Sequence, residues 1–232
     1  MVASDIRQLI AAAKKEGRSL TEIESKQVFR SAGLDVTETR LAVNEAMALE
    51  ISQEIGYPVV LKIVSHDIVH KTEVGGVKLN LTNTTAVKQA FRSMMASARK
   101  LYPDAGIHGV AVQKMARPGT EVIIGMSRDP QFGPVLLFGL GGIFVEIMKD
   151  VAFGITPLTP RDAHDMLRQI KGFPLLDGFR GREKVDTATL EAWLLKLAEF
   201  SAEYPEIKEF DLNPILAYPD GATVVDARII LG

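Results

Sequence analysis

Two hydrophobic periods alternate along the chain. In some stretches the apolar residues recur three and four apart. In others they recur two apart or run unbroken. Ile6, Leu9, Ile10 and Ala13 share one face of a helix over residues 4–15, which Gly17 stops. Thr21 and Glu24 form a capping box that opens a second helix over 22–32, and Gly33 ends it. Residues 34–41 read as a strand, 44–55 as a helix, and the apolar run 58–64 as a buried strand that carries one charge, Lys62. The alternation resumes at 77–81, and Asn83 then caps a helix over 85–101. Strands follow over 110–115, 121–127 and 135–138, with the turn-rich segment 129–134 between the last two. Pro160 opens a helix to about residue 171, residues 172–181 form a glycine-rich loop, and a long helix covers 187–204 with the sole tryptophan, Trp193. The chain finishes with strands over 207–212, 215–218 and 223–230, and Asp220-Gly221 marks a hairpin turn. Helices interleaved with strands in this way predict an α/β (α+β) fold.

Composition narrows the function without naming it. The chain has 232 residues, enough for two lobes that share a cleft. A net charge of −2, with no Lys/Arg-rich block, gives no bulk attraction to nucleic acid or to a membrane surface. With no cysteine, disulfides, thiolate nucleophiles and cysteine-bound zinc are excluded. The N-terminus has no signal-peptide core, and no run of about 18 apolar residues is present. A cytoplasmic protein that binds neither nucleic acid nor membrane is the expectation.

Candidate chemistry lies in three places. The first is the stretch 58–78. Lys62 in a buried strand needs a partner. It can snorkel to water or, as a compact point charge, hold a polyphosphate. His66 and His70 follow. His70 has the fuller surroundings: Lys71 and Thr72 supply a charge and a hydroxyl, and Gly75-Gly76 lies five residues on. A neutral histidine in a mobile loop, with cationic and amide groups nearby, can accept a phosphoryl group. It can equally be an exposed surface histidine. The second place is the C-terminal hairpin. Glu209, Asp211 and Asn213 sit two apart and so share one strand face. Asp226, inside an apolar run on the return strand, comes opposite Asn213 or Asp211. Oxygen ligands converging from paired strands suit magnesium, although acids on a solvated strand face are also ordinary. The third place combines Gln113, Lys114 and Met115 at a strand end with Glu121 eight residues later, a set that could bracket a base and ribose. Gly139, Gly141 and Gly142 could bring amides close to phosphate, but they have neither the lysine of a Walker loop nor dinucleotide-fingerprint spacing.

In order and combination, these segments carry a resemblance. They are Glu22–Lys26 (EIESK), Gly33–Val36 (GLDV), Val60–Lys62, Asp67–Lys71 (DIVHK), Val74–Val77 (VGGV), Arg128–Pro134 (RDPQFGP), Gly139–Gly142 (GLGG), Glu209–Pro214 (EFDLNP) and Val225–Arg228 (VDAR). From about Thr21 to Gly232 the chain resembles the ATP-grasp β subunit of ADP-forming acyl-CoA synthetases, and more distantly the β subunit of succinyl-CoA synthetase. The resemblance implies an ATP-grasp fold with two lobes around a nucleotide cleft. The N-terminal helix would cover 1–20, one lobe 21–108 and the other 109–232. It implies Mg²⁺, ATP/ADP and phosphate as ligands, and a CoA-binding α subunit as partner in an α2β2 heterotetramer. By the same resemblance His70 carries the phosphoryl group. Lys62, Lys71, Thr72, Gln113, Lys114, Met115 and Glu121 contact the nucleotide, and Asn213 and Asp226 bind the metal with Asp211 beside them. The succinyl enzyme has a glycine- and arginine-containing segment where this chain has His70, Lys71 and Thr72, which favours a phosphoryl relay. The chain ends at Gly232 without the succinyl enzyme's C-terminal CoA-ligase domain, so a partner chain is expected to supply it. Two other functions remain open: a non-catalytic nucleotide- or acyl-CoA-sensing module, and an ATP-grasp carboxylate–amine ligase.

Overall fold

The computed structural model of the protein describes residues 3–65, 67–68, 75–142, 150–181 and 183–232. The chain divides into two compact units. The larger holds residues 1–36 and 117–232, and the smaller holds 37–116.

The smaller unit is a four-stranded sheet with helices on one face. Its strands are β1 (Thr39–Ala42), β2 (Val59–Ser65), β3 (Val77–Leu81) and β4 (Ile107–Lys114), in the order β1-β4-β2-β3. Every pair is antiparallel. Helices α3 (Glu45–Ile55) and α4 (Thr84–Leu101) start on Asn44 and Asn83, whose side chains accept from the amides of Met47 and Ala86. Val59, Leu61 and Ile63 of β2 and Val110 and Val112 of β4 join Ala48, Ile51, Val87 and Met94 of the helices in one apolar core. Alternation therefore places Val60, Lys62, Ala111 and Gln113 on the opposite face of the sheet.

The larger unit is built on a six-stranded antiparallel sheet. Its strands are β5 (Thr120–Asp129), β6 (Gly133–Leu140), β7 (Val151–Ile155), β8 (Ile207–Tyr218), β9 (Gly221–Val224) and β10 (Ala227–Leu231). The order is β10-β8-β5-β6-β7, with β9 also paired to β8. One face is covered by α1 (Ala3–Lys15), α2 (Glu22–Ser31), α5 (Pro160–Gln169) and α7 (Thr187–Glu203). Phe29 of α2 packs edge-on against Phe210 of β8, with ring centroids 5.3 Å apart, and Phe200 of α7 meets Phe29 at a tilt and Phe210 edge-on. A short helix α6 (Phe173–Leu176) and a 3₁₀ turn at Phe179–Gly181 lie in the segment expected to be a glycine loop.

Several elements depart from the sequence reading. The strand expected over 34–41 is divided. Leu34 and Val36 are buried in the core of the larger unit, where Val36 makes a single bridge to Val224, and β1 starts only at Thr39 in the smaller unit. The compact units also differ from the expected lobes. Residues 21–36 join the larger unit because α2 buries Val28 and Phe29 in its core, and β4 runs through residue 108 without a break. Strand β7 has apolar residues on both faces and no alternation, so periodicity does not find it. The break expected at Asn213-Pro214 is absent. Strand β8 continues through it, because the β5–β8 register shifts there and Pro214 sits at the irregularity. The final hairpin turns at Pro219-Asp220, with Tyr218 paired to Gly221.

Candidate functional site

Each side chain of the C-terminal acid set is placed by strand alternation. Phe210 and Leu212 point into the core, so Glu209, Asp211 and Asn213 face outward from β8. Ala227 pairs with Leu212, and the Asn213 amide donates to the Asp226 carbonyl oxygen at 3.2 Å. Of the two positions open to Asp226, the structure therefore takes the one opposite Asn213. The Asp226 carboxylate is oriented by the Ala227 amide, which donates to Oδ1 at 2.9 Å. On the other side of Asp211 lies Gly125 of β5, where a Cβ would come within 4.0 Å of Asp211 Oδ1.

The electrostatics of this face are unbalanced. Burial pushes the Asp211 carboxyl up to about 6, and the nearby Asp226 and Glu209 charges push the same way. Arg228 and a hydrogen bond with Asn213 act against them. Crowded hard oxygen donors with excess negative charge suit a divalent cation. Among the described residues no three His, Cys, Asp or Glu side chains converge tightly enough to hold a metal on their own. Asp211, Asn213 and Asp226 fit a magnesium ion that draws its remaining ligands from phosphate and water.

Glu121 opens a second part of the site in the same unit. The Gly141 amide donates to the Glu121 carbonyl at 2.8 Å. A Cβ on Gly141 would come 2.9 Å from Glu121 Cβ, and one on Gly142 would come 2.8 Å from Glu121 Oε2. Gly142 also has φ +62°, where glycine is favoured. The glycine pair is thus the seat of the Glu121 side chain.

In the smaller unit the structure brings Lys62 and Gln113 together. Lys62 pairs with Ala111 and Gln113 with Val60, so the two share a face on adjacent strands, and both are buried. Lys114 is engaged locally. Its ammonium donates to the carbonyls of Ile55 and Gly56, at 3.2 and 2.8 Å, where α3 ends. The Met115 amide is likewise held, by the Pro58 carbonyl at 3.1 Å. His66, His70, Lys71 and Thr72 lie outside the described residues. Arg228, two residues after Asp226 and outside the sequence-predicted set, stands on β10 directly opposite Asp211.

The unit with the outward acid–amide set and the unit with the buried lysine belong to a chain of the ATP-grasp class. The family model described as an ATP-grasp domain matches residues 11–231. The β subunit of acetate–CoA ligase [ADP-forming] I from Pyrococcus furiosus is 51% identical over 225 residues, 97% of each chain. Acetyl-coenzyme A synthetase 1 of Ca. Korarchaeum cryptofilum, in complex with coenzyme A, Ca-AMPCP and HgCl+, superposes with a TM-score of 0.95 at 49% identity, over 97% of this chain and 99% of that one. The same enzyme with a phosphorylated phosphohistidine segment gives a TM-score of 0.91 at 47% identity, over 98% of this chain and all of that one. The chain belongs to the ATP-grasp family of ADP-forming acetate–CoA ligase β subunits.

Proposed function

We infer that the chain is the nucleotide-binding β subunit of an ADP-forming acyl-CoA synthetase, with acetyl-CoA as the expected acyl donor. It works with a CoA-binding α subunit, in an α2β2 heterotetramer. The observation that carries this reading is the outward row of Asp211 and Asn213 with Asp226 opposite, an oxygen set with surplus negative charge. When bound there, Mg²⁺ supplies positive charge to the phosphate oxygens and lowers the cost of bringing a polyphosphate to acidic side chains. Lys62, buried on the Gln113 face, holds phosphate as a point charge, and Glu121 on its glycine seat contacts the nucleotide. Gln113, Lys71 and Thr72 complete the nucleotide contacts. Lys114 and Met115 contribute through the main chain, since the Lys114 ammonium already serves α3.

His70 is the phosphoryl carrier. A neutral imidazole nitrogen of His70 takes the phosphoryl group from a phosphorylated histidine of the α subunit, and the bond from phosphorus to that histidine's nitrogen breaks. A terminal oxygen of ADP then attacks the phosphorus, giving ATP and the free imidazole. The α subunit supplies the acyl phosphate chemistry. The test is incubation of the complex with γ-labelled ATP and Mg²⁺, followed by acid and base treatment of the protein. The expected product is an acid-labile, base-stable phosphoprotein that is lost in His70→Ala. Undiminished turnover of His70→Ala would end the relay. ATP hydrolysis that depends on an added amine would point instead to a carboxylate–amine ligase.

A further inference from the structure

Arg228 has no part in the chemistry assigned so far. It stands on β10 directly opposite Asp211 of β8, and Asp211 stands opposite Gly125 of β5. Ala227 and Ile229 on either side of it are buried, so alternation turns the Arg228 side chain onto the outward face that carries the acids. The residue itself is exposed. Its charge acts on the Asp211 carboxyl, so the guanidinium lies within electrostatic reach of it. No hydrogen bond or ion pair joins it to another of the described residues, whereas Arg117, Arg92 and Arg18 are each tied to a carboxylate.

We propose that Arg228 is a phosphate-binding residue that holds the terminal phosphate oxygens of the nucleotide over the Asp211–Asn213–Asp226 set. The inference rests on the nucleotide reading above. Adjacent strands lie about 4.8 Å apart, so a long arginine side chain on the neighbouring strand spans the distance from the sheet edge to an oxygen held above Asp211. An approaching polyphosphate meets Glu209, Asp211 and Asp226 on this face, and one divalent cation does not cancel all of that repulsion. A planar guanidinium adds a fixed charge and two parallel donors that match a pair of phosphate oxygens. A residue in this role recognises a di- or triphosphate end and is indifferent to the base, the ribose and the α-phosphate.

Calorimetric titration of the full chain with AMP, ADP and a non-hydrolysable triphosphate in Mg²⁺ tests this, using wild type, Arg228→Gln and Arg228→Lys. Wild type is expected to bind ADP and the triphosphate more tightly than AMP. Arg228→Gln should weaken ADP and triphosphate binding about tenfold or more, the loss of a charge-assisted contact, and leave AMP unchanged. Arg228→Lys should recover part of the loss. The side chain is exposed, so thermal melting of both variants should match wild type. Wild-type ADP affinity in Arg228→Gln overturns the inference, as does an equal loss for AMP and ADP. If wild type binds none of the three, the nucleotide reading falls, and the inference with it, before any variant is made.

Discussion

Asn213 and Asp226 face each other across the end of the β8–β10 pairing, joined through the main chain by the 3.2 Å bond from the Asn213 amide to the Asp226 carbonyl oxygen. Backbone geometry therefore brings the two residues opposite each other. The Asp226 carboxylate is aimed separately, by the Ala227 amide. Replacing Asp226 with asparagine keeps shape and main-chain bonding and removes only the charge. The expected outcome is loss of most of the magnesium-dependent gain in ADP affinity, about tenfold or more, with little change in thermal stability. Titration with and without Mg²⁺ reads this directly. An unaltered magnesium effect would remove Asp226 from the metal site.

Gly141 and Glu121 give a steric test. The Gly141 position has no room for a methyl group, because a Cβ there would lie 2.9 Å from Glu121 Cβ and 3.2 Å from its carbonyl carbon. These are atoms near the main chain and cannot swing away as a side-chain tip does. Gly141→Ala should push Glu121 off its seat and weaken the 2.8 Å bond from the Gly141 amide. Nucleotide affinity should fall, and stability should fall by about 1–3 kcal/mol. Glu121→Ala removes the carboxylate but leaves the Cβ and main chain that fill the Gly141 contact in place. It should lose affinity with far less loss of stability, which separates the contact from the packing.

Much of this was legible in the sequence. The period-2 placement of Glu209, Asp211 and Asn213 settled which way the acids face, since Phe210 and Leu212 had to be buried. The caps at Thr21 and Asn83 are local chemistry, and the structure forms both. Long-range pairing was not legible. Whether Asp226 meets Asn213 or Asp211 is decided by the β8–β10 register, which the pairing of Ala227 with Leu212 fixes and no local signal in the sequence states. The occupation of Lys114 by the end of α3 was invisible for a similar reason: its partners, Ile55 and Gly56, lie 59 and 58 residues away in the chain. Leu34 and Val36 alternate as a strand should, yet they serve a different unit from the strand that follows.

Arg128 anchors the larger unit from within. It sits at the end of β5, and its guanidinium donates to the carbonyls of Ile207 at 2.7 Å and Tyr204 at 3.0 Å, and also to that of Ser201. Two of these belong to the last turn and cap of α7, where carbonyls have no partner within the helix and a cation opposes the dipole. Arg128→Met keeps most of the side-chain bulk and removes every donor. The expected cost is about 2–4 kcal/mol, from partly buried carbonyls left without a partner. Urea unfolding measures it. A change below about 0.5 kcal/mol would show that water replaces the guanidinium at no cost.

Asp211 makes stability depend on pH in a direction opposite to that of an ordinary paired carboxylate. Its native value is raised to about 6 from 3.8, first by burial and then by the Asp226 and Glu209 charges. Below the unfolded value both states are protonated, and the group contributes nothing. Between the two values the unfolded chain gives up its proton and the native protein keeps it, so stability declines as pH rises. Above about 6 the full deficit is present, on the order of 2–3 kcal/mol. Asp211→Asn cannot ionise and escapes this. In the absence of magnesium and nucleotide the variant should therefore be the more stable protein at about pH 7.5, and its advantage should shrink toward zero near pH 4. Mg²⁺ with ADP should reverse the order at about pH 7.5, because wild type then gains a ligand for the metal that the variant lacks. Chemical denaturation at several pH values, with and without MgADP, separates the two effects. An advantage that stays constant with pH would mean that the asparagine packs better and that the buried charge costs nothing.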